Sequence, residues 1–258
     1  MTDDYTSQVK ALVKQYFPAA VTAYREFRTF RRRNDPAYLW DRLIRQMVRR
    51  SPDVFFVQVG AMDGVTFDPL HEYVVQHKWR GLLVEPLPDM FAELKETYRN
   101  MDGLIFENIA IANTSGQRDM CRVRKEALDL KMVPHWAKGI STFADNEARN
   151  VLGPNLEYQK DRDQIRPHII TETVKCDTLA NLFLKHEIEH LDVFVTDVEG
   201  YDYEVLRQLD LLRYKPSLIR IEWLNLSESD RHMTINLLKS HGYQTELVDV
   251  DVLAWRMP

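Results

Sequence analysis

Asp53-Val-Phe-Phe-Val-Gln-Val59, running straight into Gly60-Ala-Met-Asp-Gly64, is the stretch on which the reading of this chain turns. A short apolar run that stops at a glycine predicts a buried strand followed by a tight turn. The pattern then repeats. Asp68-Pro69 opens a helical stretch to about Lys78, and Gly81-Leu-Leu-Val-Glu85-Pro86 is a second strand. Pro88-Asp89 starts a helix to about Arg99, and Leu104–Ile111 reads as a third strand. Strands alternating with helices predict an α/β fold around a parallel sheet. Further on, Asp177–His186 reads as a helix, Leu191–Asp197 as a strand, Tyr203–Leu212 as a helix, Pro216–Trp223 as a strand and Asp230–His241 as a helix. Tyr243–Val248 and Val252–Trp255 close the chain as two strands near enough to pair antiparallel. The expected sheet has roughly seven strands, mainly parallel, with the last one reversed. Its ligands belong beyond the carboxyl ends of the strands, near the point where the strand order switches.

Two segments break the alternation. Residues 112–170 form a long insert in which Arg118–Val123 and His168–Val174 have strand character. So long a non-repetitive stretch predicts a cover over a binding site. Residues 1–52 read as a helical extension, interrupted near Pro18 and restarted at Asn34-Asp35-Pro36. Residues 53–258 form the main domain. The 258 residues carry 34 Lys and Arg against 39 Asp and Glu, for a net charge of −5. The extension holds eleven of the basic residues and five of the acids, so it is +6 and the remainder −11. A pI near 5.9 argues against a dedicated nucleic-acid binder. The Arg-rich extension reads first as a solvated or homo-oligomer-forming face. A peripheral contact with an anionic membrane or substrate is the alternative. No apolar run approaches the ~18 residues of a transmembrane helix. The acidic, polar start Met1-Thr-Asp-Asp-Tyr5 is unlike a signal peptide, and nothing requires Cys121 and Cys176 to pair, so a cytoplasmic setting is expected.

Several residues have the chemistry of a site. Gly60 after the first strand lets a ligand approach the backbone. Only Gly60 and Gly64 are present, short of the G-x-G-x-x-G of a dinucleotide-binding turn, and Asp63 would repel a diphosphate. A cofactor with a cationic end fits better. Glu85 lies 21 residues after Gly64, at a strand's carboxyl end, where an acid can accept ribose hydroxyls. Four acids fall in Asp197-Val-Glu199-Gly-Tyr-Asp202-Tyr-Glu204. Asp202 and Glu204 suit a helix start, whereas Asp197 and Glu199 lie at the rim where ligands bind. Glu222 ends an apolar strand and needs a partner there, for which Arg220 is not an obvious candidate. Asp197, Glu222 and Asn225 can converge as oxygen ligands for Mg²⁺, or equally as a substrate-binding cluster. Of eight histidines, His135 and His168 lie in or beside the insert and suit a general base, His135 the more so for its neighbour Trp136.

Four stretches together resemble one family. They are Phe56-Val-Gln-Val-Gly-Ala-Met-Asp-Gly-Val-Thr-Phe-Asp-Pro-Leu70, Lys78-Trp-Arg-Gly-Leu-Leu-Val-Glu-Pro86, Gly139-Ile-Ser-Thr-Phe143 and Asp197-Val-Glu-Gly-Tyr-Asp-Tyr-Glu-Val-Leu206. In this order, over roughly residues 53–256, the chain resembles the FkbM-type S-adenosylmethionine-dependent methyltransferases. The resemblance implies a Rossmann-like class I methyltransferase fold with S-adenosylmethionine bound over the sheet. It implies Gly60, Ala61, Asp63 and Gly64 beside the methionine portion, Glu85 and Pro86 at the ribose, and Asn108 and Ile109 near the adenine. Asp197 would face the sulfonium or amino group. Gln58 and Thr196 depart from the Asp and Lys that many members carry there. The expected catalytic set is His135, Asp197, Glu199 and Glu222, with Trp136, Ser141, Thr142 and His168 toward the acceptor. The activity implied is O-methylation of a sugar, glycan or polyketide-like hydroxyl. The alternatives are methylation of a protein and a non-catalytic cofactor-binding scaffold.

Overall fold

A computed structural model describes residue 35 and residues 38–145 and 159–256 of the chain. It divides into two compact units, residues 1–46 and 47–258. The helices expected over residues 1–34 and the Pro18 break lie outside the described residues. Helix α1 (Leu39–Arg50) has Leu39, Trp40, Leu43, Ile44 and Met47 buried at helical spacing and Arg45, Arg49 and Arg50 exposed. Arg42 Nη1 donates to the Asp35 carbonyl at 2.8 Å near its start.

The second unit is built on a seven-stranded sheet. Its strands are β1 (Phe55–Val59), β2 (Arg80–Val84), β3 (Leu104–Glu107), β8 (Val193–Thr196), β9 (Leu218–Glu222), β10 (Gln244–Val248) and β11 (Asp251–Trp255). Their order across the sheet is β10-β11-β9-β8-β1-β2-β3. β11 runs antiparallel to both neighbours, and the other pairs are parallel. This is the Rossmann-like arrangement with one reversed strand. Chain order runs outward from β1 to β3 on one side and from β8 on the other, so the switch point lies between β1 and β8. Val57, Val59, Leu82, Val84, Phe194, Ile219 and Ile221 form the buried centre, which suits strands covered on both faces. The covering helices are α2 (His71–His77), α3 (Pro88–Thr97), α6 (Leu179–Lys185), α7 (Asp202–Leu206) and α8 (Glu228–Ser240). Thr178 and Ser227 cap α6 and α8 through their hydroxyls.

Three boundaries differ from the sequence reading, each for a local reason. The third strand stops at Glu107 instead of Ile111. The Asn108 side-chain amide turns back and donates to the carbonyls of Glu85 and Pro86 at 2.8 and 2.9 Å. Ala110–Ile111 then enters a second sheet as β4. The helix expected over 203–212 ends at Leu206, because the Asp210 carboxylate takes the amides of Leu212 and Arg213 into a separate turn. The insert is a small folded layer as well as a loop. β5 (Gly116–Val123) pairs antiparallel with β7 (Ile169–Asp177), and β6 (Ser141–Phe143) with β5, giving the order β4-β7-β5-β6. The short helices α4 (Lys125–Asp129) and α5 (Gln159–Ile165) belong to the same insert. Arg122, nearly buried, bridges it to α3 through a bidentate pair with Asp89 at 2.6 and 2.7 Å. No helix among the described residues is long and apolar enough to cross a membrane.

Candidate active site

The parallel register aligns Val59 with Val84 and Thr196, and Thr196 with Ile221. The residues that follow these four positions therefore gather at adjoining strand tips. They are Gly60, Glu85, Asp197 and Glu222. Gly60 has a φ of +83°, and a Cβ there would lie 1.9 Å from the Asp197 carbonyl oxygen. Its amide and that of Ala61 both reach the Val84 carbonyl, at 2.9 and 3.0 Å. The glycine thus docks the tip of β1 between β2 and β8. Glu85 is buried. One of its carboxylate oxygens accepts the Met62 amide and the other the Leu87 amide, both at 2.9 Å. Burial pushes it up to about 7 in spite of those amides.

The turn after Gly60 has a different use for two predicted cofactor contacts. Asp63 accepts the amides of Val65 and Thr66, the Thr66 hydroxyl, and the Lys138 ammonium at 2.6 Å. Burial alone would raise it, but these partners, Lys138 first, hold it at about 2. Gly64 packs beneath Leu94 and Tyr98, whose hydroxyl donates to the Gly64 carbonyl. Neither Asp63 nor Gly64 borders the cavity described next. Both build the turn, and Asp63 fastens it to the insert through Lys138.

Above the strand tips is a cavity of about 480 Å³, within the range of small-molecule sites. Gly60, Ala61, Glu85, Pro86, Trp136, Ser141, Asp197, Glu199, Glu222 and Asn225 all border it. A slot of about 30 Å³ is lined by some of the same residues, Gly60, Pro86, Met120 and Val198, together with Ile109, Ile111, Phe143 and Tyr201. Asn108 borders neither, and its part is to hold the Glu85–Pro86 tip. Thr142 is buried behind Ser141 and donates to the Glu199 carbonyl at 3.3 Å. The two histidines are elsewhere. His135 is exposed and meets the Phe67 ring edge-on at 5.8 Å. His168 is buried with its Nδ1 2.8 Å from Arg124 Nη2. Neither lines the cavity. A larger groove of about 710 Å³ beside α6, bordered by Leu184, Asp210 and Arg213, shares no residue with the strand tips.

The far wall is acidic. Asp197 is exposed where it borders the cavity. Burial first, then the carboxylates of Asp202 and Asp251, push it up to about 7. Burial, together with Asp197 and Asp202, holds Glu199 well above the usual carboxylate range, and Glu222 is raised by burial and the charges of Glu199 and Asp197. Asn225 Nδ2 donates to Glu199 at 2.5 Å and to Glu222 at 2.7 Å. Asp202 is fully buried. It accepts the Thr196 hydroxyl and the amides of Val198 and Gly200, so its work is to close the loop after β8. Arg220 lies two residues before Glu222 and borders the same cavity, because a strand repeats every second residue. Its partner is Asp251 of β11. Sequence reasoning missed Lys138, Asp68 and the Arg220–Asp251 pair. The period-two spacing of Arg220 and Glu222 was the available signal. The Gln58–Asp68 hydrogen bond at 3.1 Å had none.

This geometry can be set beside known proteins. The Methyltransferase FkbM domain matches residues 58–245. The chain belongs to the FkbM methyltransferase family. The match starts within β1 and ends within β10, so it takes in the tips of β1, β2, β8 and β9 but not Val250 and Asp251, which also border the cavity. Among solved structures, this family member resembles methyltransferase FkbM from Methylobacillus flagellatus KT at 13% identity and a TM-score of 0.49. The alignment covers 79% of this chain and 44% of that one. It resembles precorrin-6y C5,15-methyltransferase from Geobacter metallireducens GS-15 at 10% identity and a TM-score of 0.38, covering 79% and 82%. Fibrillarin from Methanococcus jannaschii gives 15% identity and a TM-score of 0.39, covering 79% and 67%. The chain thus spans less than half the length of the first of these. Comparison with the curated proteins returned no match.

Proposed function

We propose that this FkbM-family methyltransferase transfers a methyl group from S-adenosylmethionine to a hydroxyl of a sugar, glycan or polyketide-like small molecule. The observation that carries this reading is the character of the cavity at the strand tips. Among the described residues, Asp68, Glu85, Asp197, Glu199, Glu222 and Asp251 border it against only Lys138 and Arg220. Such a wall favours a ligand with cationic sulfonium and ammonium centres and opposes a polyanionic acceptor. The residues fit that cofactor: Glu85 keeps lone pairs for ribose hydroxyls, and the slot with Ile109 is apolar enough for a base edge. When bound, the cofactor supplies an electrophilic methyl carbon on a positively charged sulfur. The chain's part is to orient and to take a proton. Trp136 and Ser141 border the acceptor side. Without a cation beside them, Glu199 and Glu222 are raised above ordinary carboxylates and are better proton acceptors than a free acid, and they stand where the histidines do not. Much of the rate is assigned to positioning. The same reading places the enzyme in the cytoplasm, in keeping with free thiols at Cys121 and Cys176.

The test is calorimetric titration of S-adenosylmethionine into wild type and Glu85→Ala. Affinity should fall by about tenfold or more, since two ribose hydrogen bonds to a charged acceptor are lost. An unchanged affinity refutes the assignment of Glu85. Release of S-adenosylhomocysteine across a panel of hydroxylated acceptors then tests the substrate class.

A further inference from the structure

We propose that Asp197, Glu199 and Glu222 form a binding site for a hard divalent cation of the Mg²⁺ and Mn²⁺ type, and that Asn225 positions two of the three ligands. One oxygen-bearing arm comes from the tip of β8, one from the turn after it and one from the tip of β9. A ligand atom from each lies within 4.8 Å of the others. In an octahedral site with metal–oxygen bonds of about 2.1 Å, opposite oxygens are roughly 4.2 Å apart and adjacent ones roughly 3 Å. The three carboxylates thus lie within about 0.6 Å of the span of one such coordination sphere, a difference that small side-chain rotations close. The register of the parallel strands holds two of them there. Glu199 is held by a backbone with a φ of +54°, a left-handed conformation that costs a non-glycine residue energy and recurs at binding sites.

A second observation points to a ligand and is independent of this clustering. Glu222 is 6% exposed, and its Oε2 is fully buried without a hydrogen-bond partner. A buried carboxylate oxygen left unpaired is costly, and a fold retains one where something else satisfies it. The neutral amide of Asn225 reaches Glu199 and Glu222 but brings no charge. Of the two cations among the described residues that border the cavity, Arg220 pairs with Asp251, and Lys138 with Asp63 and Glu93.

The donors are all oxygens. That composition selects Mg²⁺, Mn²⁺ or Ca²⁺ over the softer metals that take His or Cys. The ligand set also differs from the one expected from the sequence. Asn225 turns its nitrogen toward both carboxylates, so it orients them and does not coordinate, and Glu199 takes its place. Three protein ligands leave open positions for water or for oxygens of an acceptor. That role in acceptor binding rests on the proposed methyl transfer. Binding of the ion does not.

Titration of Mn²⁺ into the metal-stripped full chain, followed by the paramagnetic resonance of the free ion, tests the proposal. One Mn²⁺ per chain is expected, displaced by Mg²⁺. Glu222→Gln and Glu199→Gln should each weaken binding by about tenfold or more, because charge count sets affinity at such sites. Asn225→Ala should weaken it by about tenfold and alter the spectrum of the bound ion, with the far-ultraviolet circular dichroism unchanged. If Glu222→Gln does not fold, Glu199→Gln decides on its own. Absence of saturable binding, or binding that these variants leave unchanged, overturns the site. Methylammonium binding in place of Mn²⁺ overturns it too, and assigns the cluster to an organic cation. S-Adenosylmethionine calorimetry in chelator separates the two readings. Retained cofactor binding without Mn²⁺ binding refutes the metal alone. Mn²⁺ binding without cofactor binding refutes the methyl donor alone.

Discussion

Replacing Gly60 by alanine tests the joint on which the cavity depends. Two costs add. The first is conformational: a φ of +83° suits glycine and costs an L-residue about 1–2 kcal/mol. The second is contact. The new Cβ would lie 1.9 Å from the Asp197 carbonyl oxygen, where real Cβ atoms stay beyond 3.0 Å. That oxygen is backbone and cannot rotate away, so the tips of β1 and β8 must part by more than about 1 Å. The parting strains the hydrogen bonds from Asp197 to Val59 and from Gly60 to Val84, each about 1 kcal/mol. The sum is about 3–4 kcal/mol, a large share of the ~5–15 kcal/mol of an ordinary domain. Gly242→Ala is the control. Its φ is +81°, and nothing lies within 4 Å of the added carbon, so only the conformational cost of about 1–2 kcal/mol applies. Urea unfolding followed by far-ultraviolet circular dichroism measures both. Gly60→Ala should lose about 2 kcal/mol more than Gly242→Ala and should lose cofactor affinity with it. Equal losses in the two variants refute the close approach of the strand tips.

Three further outcomes are expected. Asp63, held at about 2 by its partners, contributes stability that is present above about pH 4 and lost as pH falls toward 2. Its shift is worth about 2 kcal/mol, and Lys138→Met should flatten that acid limb in urea midpoints taken from pH 5 to 2. The cavity acids have the opposite sign. Glu85 and Asp197 titrate near 7 and Asp202 near 6, so between about pH 4 and 7 the folded chain binds more protons than the unfolded one. The melting temperature of the ligand-free, metal-free protein should therefore fall from pH 5 to 7; a rise over that interval contradicts the packed acidic wall. His135→Ala should keep its turnover within about threefold of wild type, because the ring is exposed and off the cavity wall. A loss of about 10²-fold or more restores the histidine as general base.

The sheet was legible because its signals are periodic and local. Apolar runs ending in Gly60, Glu85, Asp197 and Glu222 marked both the strands and the level of their tips, and the register did the rest. What misled was side-chain chemistry acting across the fold. Asn108 reads as one polar residue inside an apolar strand, yet its amide ends that strand by bonding to the next tip. Asp63 reads as a free acid in a ligand loop. Its engagement depends on Lys138, 75 positions away in an insert with no regular pattern. His135 and His168 were chosen by residue type and nearness to that insert. Neither property says where a ring points, and one meets Phe67 while the other meets Arg124. The Glu199–Asn225–Glu222 bridge joins two turns whose separation in space only the strand order sets.

The charge split along the chain bears on how the cavity works. Residues 53–258 carry a net −11, and among the described residues six acids border one cavity with two cations. A pocket evolved for stability alone would not collect them, since each raised pKa records free energy lost on folding. The loss is recoverable only by a partner that brings positive charge. A cationic cofactor, a divalent ion or both would meet that condition, and both would stabilise the folded state by mass action. On this argument the acids differ by depth. Glu85, tied to two amides, is set in place before any ligand arrives. Asp197, Glu199 and Glu222 share one neutral amide donor among the two that have it, and their mutual repulsion is largest while the cavity is without a cation. The wall is therefore most responsive where the reaction is proposed to occur, and most rigid where the cofactor is proposed to be read.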